Sequence, residues 1–413
     1  MTNMIKVLKG TKDILPQDIE MWHFVEENAQ NIFSSYGFKE IRTPIIETTD
    51  LFSRGVGDTT DIVNKEMYTF EKSDRSITLR PENTAGVVRS YIENGMHRLS
   101  APVKLWYKGP MFRYERPQAG RQRQFNQIGV EMFGIDKPAA DAEIILTAVN
   151  FLKSIGLNNL EVEINSIGCP KCRTEYKEKL KNIIKPYLNE LCEDCQARYE
   201  KNPLRLLDCK VSECQNIYAK KEIQEVILSD FLCKDCCEHY SELKNFLNKL
   251  NIKYSENKLL VRGLDYYTRT VFEIKSNNLG SQNAVCGGGR YDGLVEQLGG
   301  EHTPAIGFAM GMERLISLLP QQETKKLDAF IVSNSSLDAF LLAEELRKKG
   351  ISVEIDLANK KFTKQLEKAS KIAKFALILG EDEILNEKVS IKNLFTGEQI
   401  SVDKKNCYNY LGS

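Results

Sequence analysis

Apolar residues recur every three or four positions from Asp18 to Tyr36, which predicts an amphipathic helix that Gly37 ends. The pattern then changes. Phe38-Lys39-Glu40-Ile41-Arg42-Thr43-Pro44-Ile45-Ile46-Glu47 reads as one strand, and because its proline has no N–H to give a ladder, it is predicted at a sheet edge or a subunit boundary. Ile77-Thr78-Leu79 predicts a second strand that stops at Pro81, with Glu82 and Thr84 at the start of a helix, where ordinary capping is one reading of both. From Lys104 to Phe133 alternation marks two strands joined by a long polar loop. On the return strand a period of two puts Phe125, Gln127, Gly129 and Glu131 on one face and Ile128, Val130 and Met132 on the other. The second set is a core face. The first places an amide and a carboxylate where a sheet prefers apolar residues, so it is predicted to face a site. Beyond a polar linker at Gln321 to Lys326, strands at Ala329–Val332, Val353–Ile355 and Phe375–Leu379 alternate with helical patterns. Two further strands follow near Val389 and Ile400, so a small α/β domain is predicted over residues 327–413.

A chain of 413 residues suits two or three domains. Lysine plus arginine number 57, as do aspartate plus glutamate, so a polyanion would have to be held by local patches. No apolar run approaches the ~20 residues a bilayer needs, and a soluble, cytoplasmic protein is expected. Local charge is informative. Arg113, Arg116, Arg121 and Arg123 crowd the loop of the hairpin, relieved only by Glu115. Forked cations in that density either are solvated or await an anion, for which phosphate is the obvious candidate. Lys361, Lys364, Lys368, Lys371 and Lys374 recur at helical spacing, diluted by Glu367, as a solvated face or a polyanion stripe. The eleven cysteines concentrate between Cys169 and Cys237. Their pairs are Cys169/Cys172, Cys192/Cys195, Cys209/Cys214 and Cys233/Cys236, with Cys237 adjacent. Such spacings inside a cell point to tetrahedral zinc, against reduced, partly buried thiols as the other reading. Gly287-Gly288-Gly289 lacks the GxGxxG spacing of a phosphate loop and reads as a place of close backbone approach.

Three segments resemble the signature motifs of class II aminoacyl-tRNA synthetases. They are Gly37 to Glu47, the arginine hairpin, and Ala305-Ile306-Gly307-Phe308-Ala309-Met310-Gly311-Met312-Glu313-Arg314-Leu315. Two more are similar to segments special to the histidyl-tRNA synthetase family: Leu260-Val261-Arg262-Gly263-Leu264-Asp265-Tyr266-Tyr267-Thr268-Arg269-Thr270 and Ala284-Val285-Cys286-Gly287-Gly288-Gly289-Arg290-Tyr291-Asp292-Gly293. The resemblance implies an α+β catalytic domain, an antiparallel sheet flanked by helices, over residues 1–168 and 255–320. It also implies a mostly helical, cysteine-rich insertion at 169–254 and an α/β anticodon-binding domain at 327–413. A homodimer is implied as well. The implied reaction is ATP-dependent ligation of L-histidine to tRNA(His) through histidyl-adenylate, with Mg2+ on the outer phosphates. The rival is a catalytically silent relative, a regulatory subunit of ATP phosphoribosyltransferase, which typically loses motif residues and the anticodon domain.

Site roles follow from the resemblance. Attack on the α-phosphate crowds charge onto equatorial oxygens and needs preplaced cations more than an acid or base. Arg113 and Arg262 match the family's catalytic arginines, and Arg113, Glu115, Arg121, Phe125 and Arg314 match its ATP contacts, with Phe125 under the adenine. Glu82, Thr84 and Gln127 match the residues that hold the α-amino and carboxylate end of histidine. An imidazole offers one donor and one acceptor, and Glu131 with Tyr267 would answer both while Tyr266 completes the wall. Arg290 and Tyr291 are expected to line that pocket. Arg116 and Gln118 are expected at the tRNA acceptor end, and Lys361, Lys364 and Lys368 on the anticodon side. Metal in the insertion is not a general requirement of this family, so the cysteines are a departure and zinc there would be structural.

Overall fold

A computed structural model describes residues 4–57, 60–117, 121–209, 211–227, 231–276, 284–320 and 325–411. The chain divides into two compact units, residues 1–321 and 322–413.

In the first unit, helix α1 (Pro16–Ser35) buries Trp22, Val25, Ala29 and Phe33, the three-or-four spacing expected of a helix that covers a sheet. The strand expected at 38–47 is two strands in different sheets: β1 (Lys39–Glu40) and β2 (Ile46–Thr48). Pro44 interrupts the ladder, and the buried guanidinium of Arg80 takes over the chain there. Its Nη1 donates to the carbonyl (2.9 Å) and hydroxyl (3.0 Å) of Thr43, and its Nε to the carbonyl of Pro110 (2.9 Å). Helix α2 (Thr49–Val56) leads to β3 (Tyr68–Lys72) and β4 (Arg75–Leu79), which with β2 form a three-stranded antiparallel sheet.

Helix α3 (Thr84–Glu93) precedes the hairpin of β5 (Val103–Phe112) and β6 (Gln124–Phe133), followed by α4 (Pro138–Ser154) and β7 (Leu160–Ser166). The cysteine-rich segment contributes α5 (Pro170–Ile184), α6 (Glu193–Lys201), α7 (Ser212–Tyr218), α8 (Lys221–Ile227) and α9 (Lys234–Lys249). The chain returns through β8 (Tyr254–Glu256), β9 (Thr268–Ser276), β10 (Ala284–Arg290), α10 (Leu294–Gln297), β11 (Ala305–Gly311) and α11 (Met312–Ile316). An eight-stranded sheet results, in the order β1-β5-β6-β11-β10-β9-β7-β8. Its interior is antiparallel, whereas the two outermost pairs, β1 with β5 and β7 with β8, are parallel, so the sheet is mixed. One face carries Ile128, Val130, Met132, Phe272, Ile274 and Phe308 into a core closed by α1 and α4. Leu243 and Leu247 of α9 join that same core, although α5 to α8 share a separate one built on Leu180, Ile184, Leu206 and Ile223.

The second unit is a five-stranded sheet, with β12 (Leu327–Ser333), β13 (Val353–Ile355), β14 (Ala373–Leu379), β15 (Lys388–Asn393) and β16 (Gln399–Asp403) in the order β13-β12-β14-β15-β16. Alternation along β12 sends Ala329 and Ile331 toward α12 (Ser336–Arg347) and Phe330 and Val332 toward α13 (Phe362–Ile372), so the helices cover opposite faces. The lysine stripe is shorter than its spacing suggested. Helix α13 ends at Ile372, and Lys374 lies on β14, paired with Asp328 at 3.0 Å. Lys364 pairs with Glu367 at 2.7 Å and Lys368 with Glu354.

Candidate active site

The return strand's polar residues point to the face of the large sheet opposite α1 and α4, where α3 and α10 pack over Val103, Leu105, Phe133 and Ala305. Register sets Gln127 of β6 beside Gly311 of β11, Gly129 beside Ala309, and Glu131 beside Gly307, while Gly287 of β10 lies beside Ala309. Side chains from β6 therefore rise over a floor of glycine and alanine. The floor is tight at two points. A β-carbon on Gly307 would run into the carboxylate of Glu131, and one on Gly287 into the guanidinium of Arg262.

A cavity of about 210 Å³ opens over this floor. Glu82, Thr84, Gln127 and Glu131 line it, as do Arg262, Tyr266 and Tyr267. Glu131 is fully buried. The Thr84 hydroxyl donates to its Oε1 at 2.8 Å and the Tyr291 hydroxyl to its Oε2, and burial still pushes its pKa up to about 8. Tyr291 lines the cavity, as expected, and is the direct partner of Glu131, and burial raises its own pKa. Tyr267 is pushed up to about 12 by burial. Its ring lies 4.7 Å from that of Tyr266, and its carbonyl accepts from Nη1 of Arg173 at 2.9 Å.

Glu82 takes the capping role its place before α3 allowed, and Thr84 is committed to Glu131. Both oxygens of Glu82 accept backbone N–H groups at the start of α3, from Thr84 at 2.8 Å and Ala85 at 2.9 Å, and the hydroxyl of Thr84 is spent on Glu131. Two of about four carboxylate lone-pair positions remain, so capping and ligand binding are compatible. Gln127 is the reverse case: its Oε1 is buried with no hydrogen-bond partner among the described residues.

A larger cavity of about 550 Å³ adjoins the first. Arg113 and Arg262 line both. Each is oriented by a protein acceptor. Nε of Arg113 donates to the carbonyl of Pro81 at 2.8 Å, with the guanidinium 5.3 Å from the Phe125 ring, and Nη1 of Arg262 meets Glu273 at 2.6 Å. Glu115, Arg121, Phe125 and Arg314 also line the larger cavity. Glu115 is 3.1 Å from Arg121 and 3.8 Å from Arg113, and Nη1 of Arg314 donates to the carbonyl of Ala284 at 2.6 Å. Arg116 is exposed, and Gln118 lies outside the described residues.

Arg290 does not line either cavity. It is wholly buried beneath the sheet, where Asp141 (Nη2 to Oδ2, 2.6 Å), Asp292 (3.2 Å) and the carbonyls of Ile135 and Lys137 (both 3.0 Å) surround its guanidinium. His239 of α9 adds to this group, 3.2 Å from Asp141 and 3.3 Å from Arg269. Burial alone would raise Asp141, but Arg290 and then His239 hold it below its usual range. Sequence reasoning passed over Glu273 and the wall residues Leu207 and Gln215. A signal for Glu273 existed, since Glu273 and Lys275 alternate with Phe272 and Ile274 on a central strand, as Gln127 and Glu131 do on β6.

Eight cysteines form two groups. The sulfurs of Cys169, Cys172, Cys233 and Cys236 all lie within 4.8 Å of one another, and so do those of Cys192, Cys195, Cys209 and Cys214. Among the described residues no helix is long and apolar enough to cross a membrane.

Comparison with known proteins gives a consistent result. Residues 10–315 match the family described as histidyl-tRNA synthetase, and residues 330–413 match the anticodon binding domain. A histidine–tRNA ligase of Acetivibrio thermocellus is 51% identical over 407 residues, which covers 96% of this chain and 97% of that one. One from Thermosipho melanesiensis is 50% identical over 411 residues, 97% of each chain. The crystal structure of apo histidyl-tRNA synthetase from S. aureus superimposes with a TM-score of 0.82 at 39% identity, covering 99% of this chain and 100% of that one. The silent regulatory reading is correspondingly less supported.

Proposed function

We propose a residue-level mechanism from one premise: the chain belongs to the histidyl-tRNA synthetase family. It ligates L-histidine to tRNA(His) with ATP, by way of histidyl-adenylate, releasing pyrophosphate and then AMP. We assign the smaller cavity to histidine and the larger to ATP. The observation that carries this assignment is the pair Arg113 and Arg262, which line both cavities and so stand where one substrate's carboxylate meets the other's α-phosphate. Each guanidinium is held by an acceptor before substrate arrives, so little reorganisation is needed as charge builds on the phosphoryl oxygens. Glu131, anchored by Thr84 and Tyr291, accepts an imidazole N–H, and the Tyr267 hydroxyl answers the other ring nitrogen. The buried Oε1 of Gln127 takes the α-ammonium, with Glu82 supplying charge beside it and Tyr266 the wall. A ligand without ring nitrogens would leave Glu131 and Tyr267 unanswered, at about 1–3 kcal/mol for each neutral group.

Phe125 takes the adenine face, Arg121 and Glu115 act at the phosphates, and Arg314 holds the nucleotide's far side. Mg2+ would be held by the carboxylates of Glu115 and Glu273, oxygen ligands of the type it takes, and would supply neutralisation of phosphate charge. Arg116 and Gln118 are assigned to the tRNA acceptor end and Lys361, Lys364 and Lys368 to the anticodon side. Structural zinc is assigned to the eight clustered cysteines. We place the enzyme in the cytoplasm as a homodimer, with the motif-one segment at the boundary, where Ile45 and Ile46 are 40% and 56% exposed. Arg113→Ala and Arg262→Ala should each lower kcat for histidine-dependent ATP–pyrophosphate exchange by about 10²–10³. Retention of near-normal kcat in both would overturn the assignment.

A further inference from the structure

We propose that the cysteine-rich segment binds two zinc ions, each in its own four-sulfur site, and that the inner site builds a wall of the ATP cavity. The inference rests on the assignments of zinc to this segment and of ATP to the larger cavity.

The pairing is nested. The first and last cysteine pairs meet as Cys169/Cys172 with Cys233/Cys236, where the segment leaves and rejoins the catalytic unit, and the middle pairs meet as Cys192/Cys195 with Cys209/Cys214. Zinc–thiolate bonds of about 2.3 Å arranged tetrahedrally set sulfur–sulfur separations of about 3.8 Å. Cys169 and Cys172 are 3.6 Å apart and Cys192 and Cys209 3.9 Å. All eight are free thiols, so no disulfide competes for them. Donors also converge on the sulfurs. The N–H of Cys233 points to Cys172 at 3.0 Å, that of Cys192 to Cys214 at 3.3 Å, that of Val211 to Cys209 at 3.4 Å, and the Tyr218 hydroxyl to Cys195 at 3.3 Å. Such hydrogen bonds stabilise thiolate, the form that binds metal. Buried thiols serving only as small apolar residues have no reason to gather four at a time, twice, with donors aimed at the sulfur.

The inner site has a further connection. Leu207 and Gln215, which line the larger cavity, sit on either side of its ligands Cys209 and Cys214, and the Gln215 amide donates to the Cys209 carbonyl. From the other ligand pair runs α6, whose Asp194 pairs with Lys65 at 2.7 Å and whose Arg198 pairs with Asp61 at 2.7 Å. Without a metal, the short helices that carry this wall depend on a small local core. With it, four sulfurs from the first turns of α6 and α7 and the residues before them are fixed to one point.

Full-length enzyme purified without added zinc should contain two equivalents of zinc, and after exchange into cobalt it should show sulfur-to-metal charge-transfer bands for two tetrahedral sites. Cys209→Ser should retain about one equivalent and raise the KM for ATP in pyrophosphate exchange about fivefold or more, with the KM for histidine nearly unchanged. Arg314→Ala is the control for the cavity itself. Fewer than one and a half equivalents in the wild type, together with no cobalt bands, would overturn the two sites. If Cys209→Ser loses zinc but keeps its KM for ATP while Arg314→Ala raises it, the wall role fails and the ATP assignment stands. If neither variant moves that KM, the cavity assignment is what has failed.

Discussion

Gly307→Ala tests how closely the site floor is fitted. The added methyl would overlap Oε2 of Glu131, lie 2.8 Å from its carboxyl carbon, and press on the Val130 carbonyl, which belongs to a paired strand and cannot retreat. Glu131 would have to swing aside, losing the Thr84 hydroxyl at 2.8 Å and the Tyr291 hydroxyl together. Two buried hydrogen bonds at about 1 kcal/mol each, with about 1–3 kcal/mol for overpacking, sum to about 3–5 kcal/mol. That is a large part of an ordinary domain's ~5–15 kcal/mol. Even if only half of the lower figure is felt by the ligand, the KM for histidine rises about tenfold. Ala309, two residues on and lining the same cavity, already carries a methyl, so the effect is specific to position 307. Urea denaturation gives the stability loss, and pyrophosphate exchange gives the KM for histidine beside that for ATP. A variant within about 1 kcal/mol of the parent and with an unchanged KM for histidine would refute the close fit.

Two further outcomes are expected. Glu131 holds its proton in the folded protein up to about pH 8 but would release it near 4.5 when unfolded, so the native state binds more protons between those values and stability should fall as pH rises through them. Glu131→Gln, permanently neutral, should flatten the Tm-against-pH curve over that window; an unchanged slope would show that the carboxyl is not buried as described. On the second unit, Lys361 has no carboxylate partner among the described residues, unlike Lys364 and Lys368. Lys361→Ala should weaken tRNA binding and lower the slope of log affinity against log salt by about one, and an unaltered slope would remove it from the interface.

What could be read from the chain depended on whether local rules governed the residue. The hairpin faces, α1 and the five strands of the second unit follow simple periods and were legible to within a few residues. The segment 38–47 was not, because the break at Pro44 is completed by Arg80, a residue whose guanidinium arrives from elsewhere in the fold. Arg290 misled for a similar reason. It follows three glycines at the pocket, yet β10 alternation turns it through the sheet to Asp141, a partner 149 residues away. The place of Glu131 was legible from its face and that of Tyr291 in the pocket wall was expected, but the bond that joins them was not, since it spans 160 residues. Local spacing grouped the cysteines by pairs and could not say which pairs meet. The nesting is a property of the folded segment alone.

The excursion from Cys169 to Cys236 departs from the catalytic unit and comes back to it through a single doorway, since sulfurs at its two ends lie within 4.8 Å of each other. Helix α9, bolted to the core under the large sheet by Leu243 and Leu247 and to α4 by the His239–Asp141 contact, belongs to the house and not to the annexe. The strand order that carries the chemistry is therefore built entirely from residues outside the annexe.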